Sequence, residues 1–144
     1  MPNKEEEEEE DAPKTMCQRS IFYWLNTGEL SEKELMDKGH QQISTEEIAG
    51  TMACKKTSDL IPFCHPIVVE DCHIDITLNK ADEVQIDCHT STTGKTGVEM
   101  EALMGASQAA LCVYDMLKAA SSKIIIRDIR LISKIGGKKD ILND

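Results

Sequence analysis

Four short segments carry residue types that could do chemistry. In residues 96–120, TGVEMEALMGASQAALCVYDMLKAA, Asp115 and Lys118 stand three apart, so on a helix the carboxylate and the ammonium are neighbours. On an open surface such a pair contributes only a few tenths of a kcal/mol. In a partly dry site the same lysine becomes a proton donor and acceptor, with the aspartate orienting it or relaying a proton. Glu99 and Glu101 belong to the same helix, and at about 100° per residue Asp115 points within roughly 40° of Glu101's direction.

The second segment, KKTSDLIPFCHP (55–66), sets Cys64 and His65 between Pro62 and Pro66. Two prolines stiffen that loop, which suits a histidine that contacts a ligand. The competing reading has His65 capping a turn and Cys64 packed in the core. The third segment, Thr93-Gly94-Lys95-Thr96, looks like the end of a P-loop, but His89 stands where the loop's first glycine belongs, which disfavours a P-loop nucleotidase. What remains is a lysine beside a helix N-terminus, a place suited to anions.

The fourth feature is six cysteines, three of them preceding a histidine: Cys64-His65, Cys72-His73 and Cys88-His89. No Cys-x-x-Cys is present, and neighbours on a strand point to opposite faces, so the last two dipeptides cannot each give two ligands to one metal. The expectation is free thiols in a reducing cytosol and no metal.

The elements that must hold these residues follow from periodicity. RSIFYWL (19–25) suits a strand, SEKELMDKG (31–39) a short capped helix, and 44–61 a second helix running to Pro62. Residues 67–78 and 83–92 alternate with period two across the polar link 79–82, which predicts an antiparallel hairpin. Residues 97–120 form the longest helix. Its Val98, Met100, Leu103, Met104, Leu111, Val113, Met116 and Leu117 surround it, so it is expected to pack on the sheet and on another subunit. KIIIRDIRLISKI (123–135) reads as a final strand. The order predicts an α+β chain with helices on one face of an antiparallel sheet.

The 144 residues make about one domain, taken as 16–144. Of the net charge of −10, seven charges lie in the run Glu5 to Asp11, leaving −3 for the rest, so residues 1–15 read as a disordered acidic arm. That balance disfavours nucleic acid, and no apolar stretch reaches the roughly 20 residues of a membrane span. The acidic start is unlike a targeting peptide, which makes the cytoplasm the default compartment.

KKTSDLIPFCHP, TGKTGVEMEAL, AALCVYDMLKA and RLISKIGGKKD, met in this order over about residues 45–140, make the sequence resemble the cyclic pyranopterin monophosphate synthase family of molybdenum-cofactor biosynthesis. The resemblance implies a ferredoxin-like α+β subunit in a homo-hexamer, a trimer of dimers with active sites at subunit interfaces. It implies a lyase that rearranges 3′,8-cyclo-7,8-dihydro-GTP to cyclic pyranopterin monophosphate and releases pyrophosphate, with no redox cofactor and a functional link to the radical enzyme that makes the substrate. A non-catalytic subunit of the same fold is the alternative.

Carried onto this chain, the resemblance makes Asp115 and Lys118 the acid/base pair. Phe63, Cys64, His65, Met100 and Glu101 become substrate contacts, and Lys55, Glu99 and Lys138 further charged positions of the pocket. Lys38 takes a pocket lysine's place with one residue inserted, and the family's N-terminal strand is expected to be missing. A triphosphate needs several cations, which Lys55, Lys118, Lys134 and Lys138 could supply. Glu99 or Glu101 suit guanine-type N–H donors.

Overall fold

A computed structural model describes residues 14–24, 45–80 and 83–143. The expected helix over 31–39, Lys38 and most of the acidic arm fall outside them. The described residues form β1 (Lys14–Trp24), α1 (45–55), α2 (Thr57–Leu60), β2 (Asp71–Leu78), β3 (Glu83–Thr92), α3 (Glu99–Leu117), β4 (Ser133–Lys134) and β5 (Ile141–Leu142). The strands make one sheet in the order β2-β3-β1-β4-β5, and every pair is antiparallel.

β1 starts earlier than the expected strand and takes in Lys14 and Thr15, which the sequence reading assigned to the arm. It pairs with β3 from Lys14 opposite Thr92 to Trp24 opposite Glu83, with a register shift between Ser20 and Tyr23. The strand expected over 19–25 is thus present, extended at its start by residues 14–18. The hairpin forms as the period-two pattern predicts, from Asp71 opposite Ser91 to Leu78 opposite Val84. Asn79 closes it: its side chain donates to Glu83 Oε2 at 3.0 Å and accepts from the Glu83 amide at 3.0 Å.

α1 and α2 are almost one helix, as expected over 44–61, interrupted at Lys56. The Thr57 hydroxyl donates back to the carbonyls of Ala53, at 3.1 Å, and Cys54, at 3.0 Å. This competition with the backbone ladder bends or breaks helices.

The core lies between the helices and one face of the sheet, where Ile74, Ile86 and Cys88 meet Cys54, Ala106, Ala109, Ala110 and Val113. α3 buries small residues, Ala102, Gly105, Ala106, Ala109 and Ala110, rather than the large apolar ones expected to face the sheet. Of those, only Val98 and Val113 are buried, while Met100, Leu111 and Met116 are exposed. Small side chains bring the helix axis close to its neighbours. A Cβ at Gly50 of α1 would stand 2.3 Å from Ile74 Cδ1 and 2.8 Å from the Gly105 carbonyl oxygen, so α1 and α3 approach backbone to backbone there.

The expected strand over 123–135 reduces to β4. Asp128 adopts φ 57°, a left-handed backbone that interrupts an extended run. The apolar alternation survives without a ladder: Ile124 is buried and Ile126 packs on the core, whereas Ile125 is exposed. Among the described residues, no helix is long and apolar enough to cross a membrane.

Candidate functional site

α3 carries ionisable groups at both ends, and the two sets have opposite environments. At its C-terminal end Lys118 Nζ donates to Asp115 Oδ1 at 2.6 Å, the contact the i, i+3 spacing predicts. The side chains are 61% and 67% exposed, so the partly dry surroundings expected for this pair are not supplied by the chain's own fold. The hydrogen bond to Asp115, and then its charge, raise the Lys118 amine above the ordinary lysine range and hold it as a cation.

The N-terminal end is closed in. Glu101 is 2% exposed, and its Oε2 has no hydrogen-bond partner among the described residues. Burial, and next the charge of Glu99, push its carboxyl above the usual carboxylate range. Glu99 is paired with Lys134, whose stem lies against Gly137 in the turn after β4. The sequence contains no local signal for that pairing, because the partners are 35 positions apart.

The FCHP loop approaches this end of α3. Burial, and then the charge of Glu101, push the half-buried Cys64 thiol up. Phe63 is 97% exposed and His65 is exposed. The loop thus presents an aromatic ring and an imidazole outward, rather than packing Cys64 in the core. Met100 is 39% exposed, and Lys55 and Lys138 are exposed.

At about 1.5 Å per residue, the helix separates Glu101 from Asp115 by roughly 21 Å. The two carboxylates therefore stand at opposite ends of the helix, one enclosed and one exposed. The P-loop reading fails on topology: β3 is antiparallel to both neighbours, and the first turn of α3 carries Glu99 and Glu101 where a phosphate cradle would need amides free of acidic side chains.

The Cys-His dipeptides divide across the sheet as strand geometry requires. On the open face His73 Nε2 lies 2.9 Å from Asp75 Oδ1, and His89 stands opposite His73 with ring centroids 6.4 Å apart. On the covered face Cys72 and Cys88 meet Cys54 of α1, and the three sulfurs lie within 4.8 Å of one another. Sequence spacing missed this group because its members come from three elements. Hydrogen bonds with Cys54 and Cys88 pull the Cys72 thiol below the ordinary range, while the bond to Cys72 pushes Cys54 up and the bond to Cys54 pushes Cys88 up.

An antiparallel sheet backed by helices, with a buried carboxylate and an ion pair at one end of α3 and a lysine-aspartate pair at the other, defines an α+β protein. The chain belongs to the MoaC family, which it matches over residues 7–137. It is 54% identical over 106 residues to molybdenum cofactor biosynthesis protein 1 of Dictyostelium discoideum, covering 74% of this chain and 17% of that protein. It is 52% identical over 99 residues to the cyclic pyranopterin monophosphate synthase of Xanthomonas campestris pv. campestris, covering 69% of this chain and 60% of that protein. With the enzyme of the same name from Heliobacterium modesticaldum it shares 40% identity over 126 residues, 87% of this chain and 75% of that one. The chain thus spans less than two thirds of the first two relatives.

Proposed function

We propose that this chain is a cyclic pyranopterin monophosphate synthase, a lyase that converts 3′,8-cyclo-7,8-dihydro-GTP to cyclic pyranopterin monophosphate and pyrophosphate. We further propose that its active site joins the two ends of α3 from different copies of the chain. The observation that carries this reading is the division of the site. The FCHP loop with Glu99 and Glu101, and the pair Asp115 and Lys118, lie about 21 Å apart within one chain, too far to act on one nucleotide. A second copy brings one chain's N-terminal set against another's C-terminal set. The exposed Ile48 and Met52 of α1 and Leu111 of α3 supply apolar surface for that contact. The ferredoxin-like subunit and the trimer of dimers belong to the same reading.

In the joined site each group has a role its environment fits. Lys118, held as a cation by Asp115, donates a proton to the rearranging ring system or to the departing pyrophosphate oxygen. Asp115 fixes its direction. Glu101, whose Oε2 is enclosed and without a hydrogen-bond partner among the described residues, accepts a guanine-type N–H. His65, Lys55, Lys134 and Lys138 face the triphosphate, with Phe63 and Met100 against the ring. Lys38 is assigned to the same phosphate region by resemblance. Assembly also supplies the water exclusion that the isolated chain lacks around Lys118.

The test is pyrophosphate release from enzymatically prepared 3′,8-cyclo-7,8-dihydro-GTP, with GTP as control. Release from the cyclic nucleotide alone is the expected result. Binding without release would assign the chain to the non-catalytic alternative.

A further inference from the structure

We propose that Cys54, Cys72 and Cys88 form a binding site for a soft, three-coordinate metal ion of the copper(I) class, placed between α1 and the sheet. Three thiols from three elements converge on one point. Cys54 and Cys72 sulfurs are 3.3 Å apart, Cys54 and Cys88 sulfurs 3.8 Å apart, and all three are within 4.8 Å of one another. Metal–sulfur bonds of about 2.3 Å space the sulfurs of a trigonal ion roughly 4 Å apart, so the Cys54 and Cys72 thiols, 3.3 Å apart, need to open by about 0.7 Å and the Cys54–Cys88 pair by less.

The surroundings are shaped for sulfur. Gly105 of α3 forms one wall, where a Cβ would stand 2.3 Å from Cys54 Sγ and 2.8 Å from Cys88 Sγ. Cys54 and Cys88 are 1% and 0% exposed, while Cys72 is half-buried. Cys72 lies on β2, the edge strand of the sheet, which gives an ion a route in from solvent.

The donor set selects the ion. Thiolates favour copper(I), zinc and iron–sulfur chemistry over hard cations. Structural zinc closes with four strong ligands. Among the described residues, the other polar atoms bonded to these sulfurs are the Thr51 hydroxyl, 3.9 Å from Cys72 Sγ, and the Glu101 carbonyl oxygen, which accepts from Cys54 Sγ at 3.1 Å. Neither is a thiolate or imidazole. A monovalent ion satisfied by three sulfurs fits what is present, and its capture releases three protons, one from each thiol, with no change of oxidation state. The open end at Cys72 hydrates part of the remaining negative charge.

The experiment is an anaerobic titration of the reduced full chain with copper(I) supplied as its acetonitrile complex, followed by copper-edge X-ray absorption. The expected result is one retained copper per chain, coordinated by three sulfurs, and at least a tenfold loss of affinity in both Cys72→Ser and Cys54→Ser. Cys112→Ala, which alters a thiol outside the group, should bind as wild type. Cys72→Ser guards against misfolding, because its side chain is only half-buried; far-ultraviolet circular dichroism of each variant establishes that it is folded. Full copper retention in folded Cys72→Ser would overturn the site. So would zinc uptake without copper uptake, or a Cys54–Cys72 disulfide formed while no copper is held.

Discussion

At the scale of single residues, Lys118 and Glu46 show how setting decides role. The Lys118 amine gains its raised proton affinity from Asp115 while both side chains stand in solvent, so neither contributes packing. Lys118→Ala should therefore leave secondary structure and oligomer size unchanged and lower turnover by about 10²- to 10⁴-fold, the range for removal of a general acid. Stopped assays of pyrophosphate release beside size-exclusion chromatography separate the two effects, and near-normal turnover would remove Lys118 from the mechanism. Glu46 is the reverse case. It is 3% exposed on α1, and burial, reinforced by Glu47, pushes its carboxyl from 4.5 up to about 7. The folded chain then holds that proton more tightly than the unfolded chain. The associated stability is complete below pH 4.5 and is lost as pH rises through about 7. Glu46→Gln should be more stable than wild type at pH 8 by on the order of 1–3 kcal/mol and lose that advantage near pH 4. Urea midpoints at the two pH values measure it; a difference independent of pH would mean that Glu46 is not the titrating group.

At the scale of elements, the small-residue face of α3 governs how closely the layers approach. Gly105→Ala drives a methyl into Cys54 and Cys88, both fully enclosed, so relief requires the helix to move. A loss of about 1–3 kcal/mol is expected from overpacking, read as a lower urea midpoint with unchanged slope. Gly94→Ala, with nothing within 4 Å of the added methyl, should cost far less. An equal loss in both variants would show that crowding against Cys54 and Cys88 does not set the effect, since the entropic term of Gly→Ala alone favours the folded chain. These packing facts also mark what the sequence could convey. The hairpin was legible because its alternation is local and its turn chemistry, Asn79 answering Glu83, spans four residues. The long helix was legible from its period, and the Asp115–Lys118 contact from its spacing. The face of the helix was not, because eight large apolar residues outweighed a run of alanines whose value lies in what they allow to approach. Equally hidden were Lys134 meeting Glu99 and the three cysteines, since both need the topology before the partners can be named. The strand expected over 123–135 shows the opposite error: its alternation is genuine, but left-handed Asp128 interrupts the run and the strand shrinks to Ser133–Lys134.

At the scale of the whole molecule, the proposed synthase must be an assembly, and that requirement can be tested without a structure of the oligomer. If each site takes Glu101 from one chain and Lys118 from another, Glu101→Gln and Lys118→Ala disable different halves of the same site. A mixed pair of chains then contains one site with both lesions and one with none. Random mixing makes about half of all pairs mixed, so two inactive variants co-assembled should recover roughly a quarter of wild-type turnover before purification and roughly half in isolated mixed pairs. Glu101→Gln preserves volume in a closed position, so its inactivity alone is not a packing effect. Co-expression with two affinity tags, purification of the doubly tagged species and a pyrophosphate assay provide the measurement. Recovery in the doubly tagged species, and none when the separately purified variants are mixed without exchange, is the expected pattern. Verified mixed oligomers that stay inactive would place both half-sites' functions within single chains. The exposed apolar groups of α1 and α3 would then require some other covering.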